Sequence, residues 1–178
     1  MDKKITASLI LLLAAVSQSA LANDPQVTLD SGRISGTETQ GVDAFKGIPF
    51  AAPPIGELRW QPPQPVQSWS DIRSATAYGK DCMQNPFPGD AAPLGVGFSE
   101  DCLTVNVWRP ANVTGSLPVM VWIYGGGFVN GGASPEIYSG QELPARASSS
   151  SASTIASAAL AFLLIRRWPT SRCVATTA

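Results

Sequence analysis

From Asn23 to about Arg109 the apolar positions come in short alternating runs, such as Gln26-Val27-Thr28-Leu29 and Arg33-Ile34-Ser35, with no sustained helical period. This pattern predicts short strands joined by turns. Prolines 49, 53, 54, 62, 63 and 65 lie in the middle of that stretch. Each removes a backbone donor and biases its predecessor away from the helix, so the segment is expected to be extended and to wrap around another part of the fold. Asn85 to Gly97, with three prolines and three glycines, reads as a surface loop placed to rim a pocket.

The pattern then changes to a continuous apolar run, Pro118-Val119-Met120-Val121-Trp122-Ile123-Tyr124, which stops at Gly125-Gly126-Gly127. Apolar residues on both faces predict a buried central strand of a sheet covered on both sides, as in α/β folds. Leu103 to Trp108 is expected beside it, with Asn112 to Gly115 as the turn between them. Asn112-Val113-Thr114 also fits an N-glycosylation acceptor, a tripeptide too common to carry weight. Trp60, Trp69, Trp108 and Trp122 all lie in apolar or proline-rich runs and are expected in the core rather than as ligand stackers.

The N-terminus reads as an export address: Lys3 and Lys4, an apolar run from Ile5 to Val16, then Ala20-Leu21-Ala22, whose small residues suit cleavage after Ala22. The alternatives are a membrane anchor or a buried helix, but the apolar run is too short to span a bilayer. A secreted or periplasmic location follows, and with it an oxidising compartment in which Cys82 and Cys102 are expected to pair rather than remain two unrelated thiols. Cys173 is left over.

After Leu143 the character shifts to Ser148 to Ser151, an Ala-rich run to Ile165 and then Arg166-Arg167-Trp168. A Ser-rich linker and a core helix would be the ordinary reading. Displacing the reading frame by one base from Ser148 onward instead permits VVLVSVNYRIGRLGFLAHPAL, a β-branched strand followed by an Asn-Tyr-Arg turn and a histidine. Residues 1–22 are therefore expected to be a signal segment, 23–143 the native domain portion, and 144–178 a frameshifted, non-native tail.

The chain has 178 residues, the size of one ordinary domain. Its 12 basic and 13 acidic residues become 10 and 12 once Asp2, Lys3 and Lys4 are set aside with the leader. That balance supplies no electrostatic reason to expect nucleic acid or an anionic membrane as a partner. The count of histidines is zero, so the imidazole on which most serine chemistry and most zinc sites depend is absent from these residues.

Candidate chemistry sits at Tyr124-Gly125-Gly126-Gly127-Phe128, directly after the strongest strand. Glycines there let the chain turn sharply and bring backbone N–H groups to a bound oxygen, although a plain strand-ending turn would use the same residues. Three stretches resemble the type-B carboxylesterase family, which includes cholinesterases. They are Phe45 to Gly56 with Leu58-Arg59-Trp60 and Pro62-Pro63; Ser99-Glu100-Asp101-Cys102-Leu103-Thr104-Val105-Asn106-Val107-Trp108; and Val121 to Phe128.

The resemblance covers Asn23 to about Leu143. It implies the N-terminal part of an α/β-hydrolase fold, a central and mostly parallel sheet preceded by short antiparallel strands. It further implies that Cys102 pairs with Cys82, that Gly126 and Gly127 donate to the oxyanion of a small-molecule ester, and that no cofactor is used. A third donor follows the nucleophile in that family, and the Ser of G-x-S-x-G, its acid and its His match nothing here. Ser134 and Ser139 lie near the glycines but in no such elbow, so neither is expected to attack. Glu100 and Asp101 are expected to pair with Arg59 or Arg109 rather than to act on substrate.

The implied activity is ester hydrolysis through an acyl-enzyme, with this truncated chain inactive by itself. A non-catalytic secreted adhesion module of the same fold is the alternative, and a surface protein unrelated to hydrolases is a third class against which the three matches argue. Resequencing the DNA around the Leu143 codon tests the shifted frame. One additional base there is the expected result, and an unchanged frame would remove the argument for a non-native tail.

Overall fold

The computed structural model describes residues 24–85, 87–90, 94–115, 117–127 and 129–143, and the backbone of 152–156. The export segment, Phe128, Cys173 and most of the Ser/Ala-rich tail lie outside the described residues. In chain order the strands are β1 (Gln26–Leu29), β2 (Gly32–Ser35), β3 (Thr37–Thr39), β4 (Val42–Pro49), β5 (Arg73–Ser74), β6 (Asp81–Cys82), β7 (Phe98–Ser99), β8 (Thr104–Pro110), β9 (Val119–Ile123) and β10 (Ala152–Ala156). Gly56–Leu58 and Glu136–Tyr138 form short 3₁₀ turns.

The two short runs near the start form the hairpin β1–β2, antiparallel from Gln26 opposite Ser35 to Leu29 opposite Gly32, with β5 added alongside β2. The main sheet has the order β3-β4-β8-β10-β9. Its first three pairings are antiparallel, and parallel pairing begins at β10–β9, where Ala152 to Ala156 run beside Val119 to Ile123. Thus Leu103 to Trp108 is not the direct neighbour of the Val119 strand, as the sequence suggests. An extended segment from later in the chain separates them, a crossing that no local turn signal encodes.

β4 and β8 are the central strands. On one face Trp108, fully enclosed, packs with Val42, Ala44, Tyr124 and Ala133. On the other, Val105 and Val107 pack with Phe45, Ile48 and Ile34. Burying an aromatic the size of Trp108 removes about 200 Å² from water, an upper bound near 5 kcal/mol of stabilisation.

β4 carries an irregularity between Phe45 and Ile48, where Gly47 takes a positive φ of 67° and turns its N–H onto Asn106 Oδ1 at 2.9 Å. A Cβ at Gly47 would lie 2.7 Å from the Ala77 carbonyl, so a larger residue would have to push the backbone aside.

Two expectations are corrected here. The run Val119 to Ile123 is exposed along its whole length, Val119 to 64% and Trp122 to 45%. Its apolar composition on both faces calls for cover, and the described residues supply little of it beyond the Tyr138 ring, 5.7 Å from that of Trp122. Trp60 is 86% exposed, held out on a proline-rich segment at a positive φ of 61°. Trp69 is half-buried against the β1–β2 hairpin, and only Trp108 of the four is enclosed.

Cys82 and Cys102 form a disulfide across 20 residues of chain, with Cα atoms 5.1 Å apart. The bridge ties β6 to the start of β8. Glu100 pairs with Arg59 at 2.8 Å on the surface, and an exposed pair of this kind contributes less than about 1 kcal/mol. Arg109 is taken instead by Asp43, its partner across β4–β8, at 3.0 Å; that carboxylate is buried.

Among the described residues β9 is an edge strand with largely exposed apolar side chains, which favours strand-to-strand association. Purified 178-residue chain is expected to sediment as large polydisperse species at micromolar concentration and to bind a hydrophobic dye. Val121→Lys should shift the material toward monomer, whereas an unmutated chain that is monomeric and unfolds cooperatively would contradict this.

Candidate active site

β9 delivers the chain to Tyr124, a buried residue in the Trp108 cluster, and the glycine run begins at the next position. The backbone then curls back on itself. Gly126, at φ 134°, accepts hydrogen bonds on its carbonyl from the Val129 N–H at 3.0 Å and the Asn130 N–H at 3.2 Å. A Cβ on Gly126 would fall 1.6 Å from the Asn130 carbonyl oxygen, so no other residue fits that approach without opening the loop. Gly127 follows at φ 61°, also in the left-handed region. Among the described residues, neither the Gly126 nor the Gly127 N–H donates to another protein group.

The loop borders a cavity of about 280 Å³, lined by Gly125, Gly126, Asn130, Phe87, Asp90 and Tyr138 among others. Gly127 is not among the lining residues. A second cavity of about 310 Å³ shares Phe87, Asp90 and Asn130 and extends toward Gln84, Leu94 and Phe98. The proline- and glycine-rich segment after the disulfide therefore does rim the glycine loop. Phe87 and Tyr138 offer apolar surface, while Asp90 and Asn130 offer polar groups, the combination expected of a small-molecule cleft.

Two side chains from the disulfide-closed segment, Gln84 and Asp90, and Asp81 just before it reach the stretch after the glycines. Gln84 Oε1 accepts from the Gly131 N–H at 2.6 Å, and Gln84 Nε2 donates to the Gly131 carbonyl at 2.8 Å and to the Cys82 carbonyl at 3.0 Å. Asn130 Nδ2 donates to Asp90 Oδ2 at 2.7 Å. Ser134 donates its hydroxyl to Asp81 Oδ2 at 2.5 Å. From the sheet side, Asn106 Nδ2 reaches the Ala133 carbonyl at 3.4 Å while its Oδ1 holds Gly47. One buried amide thus joins the bulge of β4 to the segment beyond the glycine loop.

Asp81 is enclosed, and its pKa is raised first by burial, with the Ser134 hydroxyl and backbone hydrogen bonds pulling the other way. Ser134 is buried and committed to that carboxylate. Ser139, half-buried, lies at the end of the Glu136–Tyr138 turn, where its Oγ accepts from the Gln141 N–H. Neither sits in a nucleophile elbow, and the chain has no imidazole to take a proton from them.

The glycine loop, the disulfide and the Glu100–Arg59 pair were legible in sequence; Asp81, Gln84 and Asn130 were not. Their partners lie 53, 47 and 40 residues away, and nothing local marks them. The one available hint was that Asp81 and Gln84 flank a cysteine expected to be bridged.

Among the described residues no cluster of His, Cys, Asp and Glu is placed to hold a metal ion, and no helix is long and apolar enough to cross a membrane.

A model of the carboxylesterase family matches residues 23–148. The chain is 42% identical over 132 residues to fumonisin B1 esterase from Sphingopyxis macrogoltabida, covering 72% of this chain and 24% of that protein. It is 44% identical over 124 residues to para-nitrobenzyl esterase from Bacillus subtilis, covering 67% and 25%. Among solved structures, a PNB esterase aligns with a TM-score of 0.66 at 40% identity, over 74% of this chain and 27% of that one. A Geobacillus stearothermophilus carboxylesterase aligns with a TM-score of 0.63 at 34% identity, over 74% and 26%. These are α/β-hydrolase folds, and the chain spans about a quarter of the length of the relatives it matches.

The raised Asp81 pKa has a signed consequence. Over the interval between the unfolded-state value and the raised folded one, the native chain binds more protons than the unfolded chain, so this group lowers stability as pH rises through the interval. Asp81→Asn keeps an acceptor for Ser134 and removes the ionisation. The variant is expected to gain stability relative to the parent at neutral pH and to lose that advantage on acidification. Pulse proteolysis at nanomolar chain, where association is slow, reads the difference; a gap between the two that does not change with pH would refute it.

Proposed function

The chain belongs to the carboxylesterase family, and from that premise we propose that it is part of an exported serine ester hydrolase to which these residues contribute oxyanion-stabilising amides at Gly126 and Gly127. The attacking serine, its acidic partner and the histidine are in this reading supplied by residues not among these 178. The observation that carries it is the glycine loop itself. It follows β9 directly, curls at backbone angles only glycine adopts easily, borders a cavity, and leaves both amides uncommitted among the described residues.

The family acts on small-molecule esters. When an ester carbonyl is attacked, its oxygen gains charge, and donors already aimed at it need not reorganise as charge develops. Each such donor is worth about 3 kcal/mol in the transition state. What these residues lack is the attacking side of the reaction: no histidine is present and no G-x-S-x-G occurs. The 178 residues alone are therefore proposed to be inactive, with a leader removed after Ala22 and the mature protein outside the cytoplasm.

Residues after Leu143 are proposed to be out of frame. In the displaced frame the β-branched run VVLV falls at positions 148–151, directly before the Ala152–Ala156 backbone that lies between β8 and β9, which supports a strand entering that slot in the displaced frame.

A hybrid supplies the missing residues: 24–143 of this chain replace the matching stretch of the Bacillus subtilis para-nitrobenzyl esterase. The hybrid is expected to turn over p-nitrophenyl acetate, with Gly126→Ala reducing kcat about 100-fold or more. The 178-residue chain should neither turn over that ester nor take up a serine-directed phosphonate. A folded monomeric hybrid without activity, or labelling of Ser134 or Ser139 in the chain alone, would overturn the proposal.

A further inference from the structure

We propose that Gln84 is a positioning residue for the oxyanion donors, a role that rests on the esterase reading above and names the group that keeps its glycine loop in place. The loop has two limbs, Gly125 to Gly127 leaving β9 and Asn130 to Gly132 returning. They touch backbone to backbone. A Cβ on Gly131 would fall 2.5 Å from the Gly125 carbonyl oxygen and 2.7 Å from the Tyr124 ring, and Gly126 meets Asn130 in the same way. Any movement of Gly131 is therefore passed directly to the limb that carries the donors.

Gln84 grips Gly131 from both sides of its peptide geometry. It accepts from the N–H at 2.6 Å and donates to the carbonyl at 2.8 Å, the pair of bonds a neighbouring β-strand would make. The second hydrogen of Nε2 goes to the Cys82 carbonyl at 3.0 Å, which fixes the plane of the amide. Cys82 is itself bridged to Cys102, two residues before β8, so the grip is anchored covalently to the chain that enters the central sheet.

The other two tethers hold less of the return limb. Asn130 and Asp90 join through one side-chain bond, and the Ser134 to Asp81 bond lies beyond the loop. Among the described residues Gln84 is the side chain that binds the main chain of the return limb twice.

The active hybrid described above is the test system. Gln84→Met keeps the length and apolar stem of the side chain and removes all three bonds. A donor displaced by about 1 Å costs about 100-fold in rate, so kcat per site titrated with phosphonate is expected to fall by about that factor while KM stays within about threefold. Affinity for a trifluoromethyl ketone, which binds as an oxyanion, should fall in parallel with kcat/KM.

Gln84→Glu guards against a variant that simply fails to fold. As an ionised carboxylate it meets the Gly131 carbonyl with like charge, whereas once protonated it can both accept from the N–H and donate to the carbonyl. Its kcat relative to the unmutated hybrid should therefore rise as pH falls through the titration of the new carboxyl, a rescue that a merely structural role would not produce.

An inactive unmutated hybrid overturns the esterase reading and this inference with it. An active hybrid whose kcat per site is indifferent to Gln84→Met, or whose ketone affinity survives while kcat falls, overturns the inference alone. A flat activity ratio for Gln84→Glu across pH does the same.

Discussion

A run of three glycines carries backbone donors but no side chain with which to hold them. The conformational freedom that lets Gly126 and Gly127 reach positive φ also makes an isolated loop of this kind expensive to order, at about 1–2 kcal/mol per residue. The loop must therefore be held from outside. Here the holding groups come from the segment closed by the Cys82–Cys102 disulfide and from Asn106 on β8. The proline- and glycine-rich stretch around residues 85 to 97, which looks like a surface connection, thus lies along the candidate site as its rim.

Asn106 shows how closely the scaffold and the site are joined. It projects from the same face of β8 as Trp108, and its buried amide is divided between Gly47 of the β4 bulge and the Ala133 carbonyl. A buried amide costs free energy unless its groups find partners, and these two connect the sheet to the chain just beyond the glycine loop. Asp43 and Arg109 secure β4 to β8 nearby, and the cation lies over the Phe45 ring at 5.5 Å. The central pair of strands is therefore well determined by the described residues themselves. β9 is not, because its residues stay largely exposed apart from the contact of Trp122 with Tyr138, and its neighbour in the sheet is Ala152–Ala156.

That contrast explains which sequence expectations were met. Short alternating runs became β1 and β2 because a hairpin pairs near neighbours, whereas Trp108 is enclosed because β4, whose Ala44 pairs with it across 64 residues of chain, brings Val42 and Ala44 against the ring. Trp60 lies in a proline-rich run and Trp122 in an apolar one, but Trp60 sits on a solvated segment and Trp122 on a strand that stays largely exposed. Hydrophobic character reports the burial a residue calls for. Whether another element arrives to provide it is a property of the whole assembly.

The order of residues alone was enough to determine the family, through three motifs in sequence; the cystine, through two cysteines that the family resemblance pairs; and the glycine loop, through its place at the end of an apolar strand. All three are local patterns, or pairs whose chemistry is evident from residue type. Only the tertiary structure decided that β10 stands between β8 and β9, that Asp81 takes Ser134 out of reach as a nucleophile, and that Gln84 clasps Gly131. Those outcomes depend on contacts spanning 33 residues or more, which no neighbouring residue encodes and which exist only once the sheet has brought the segments together.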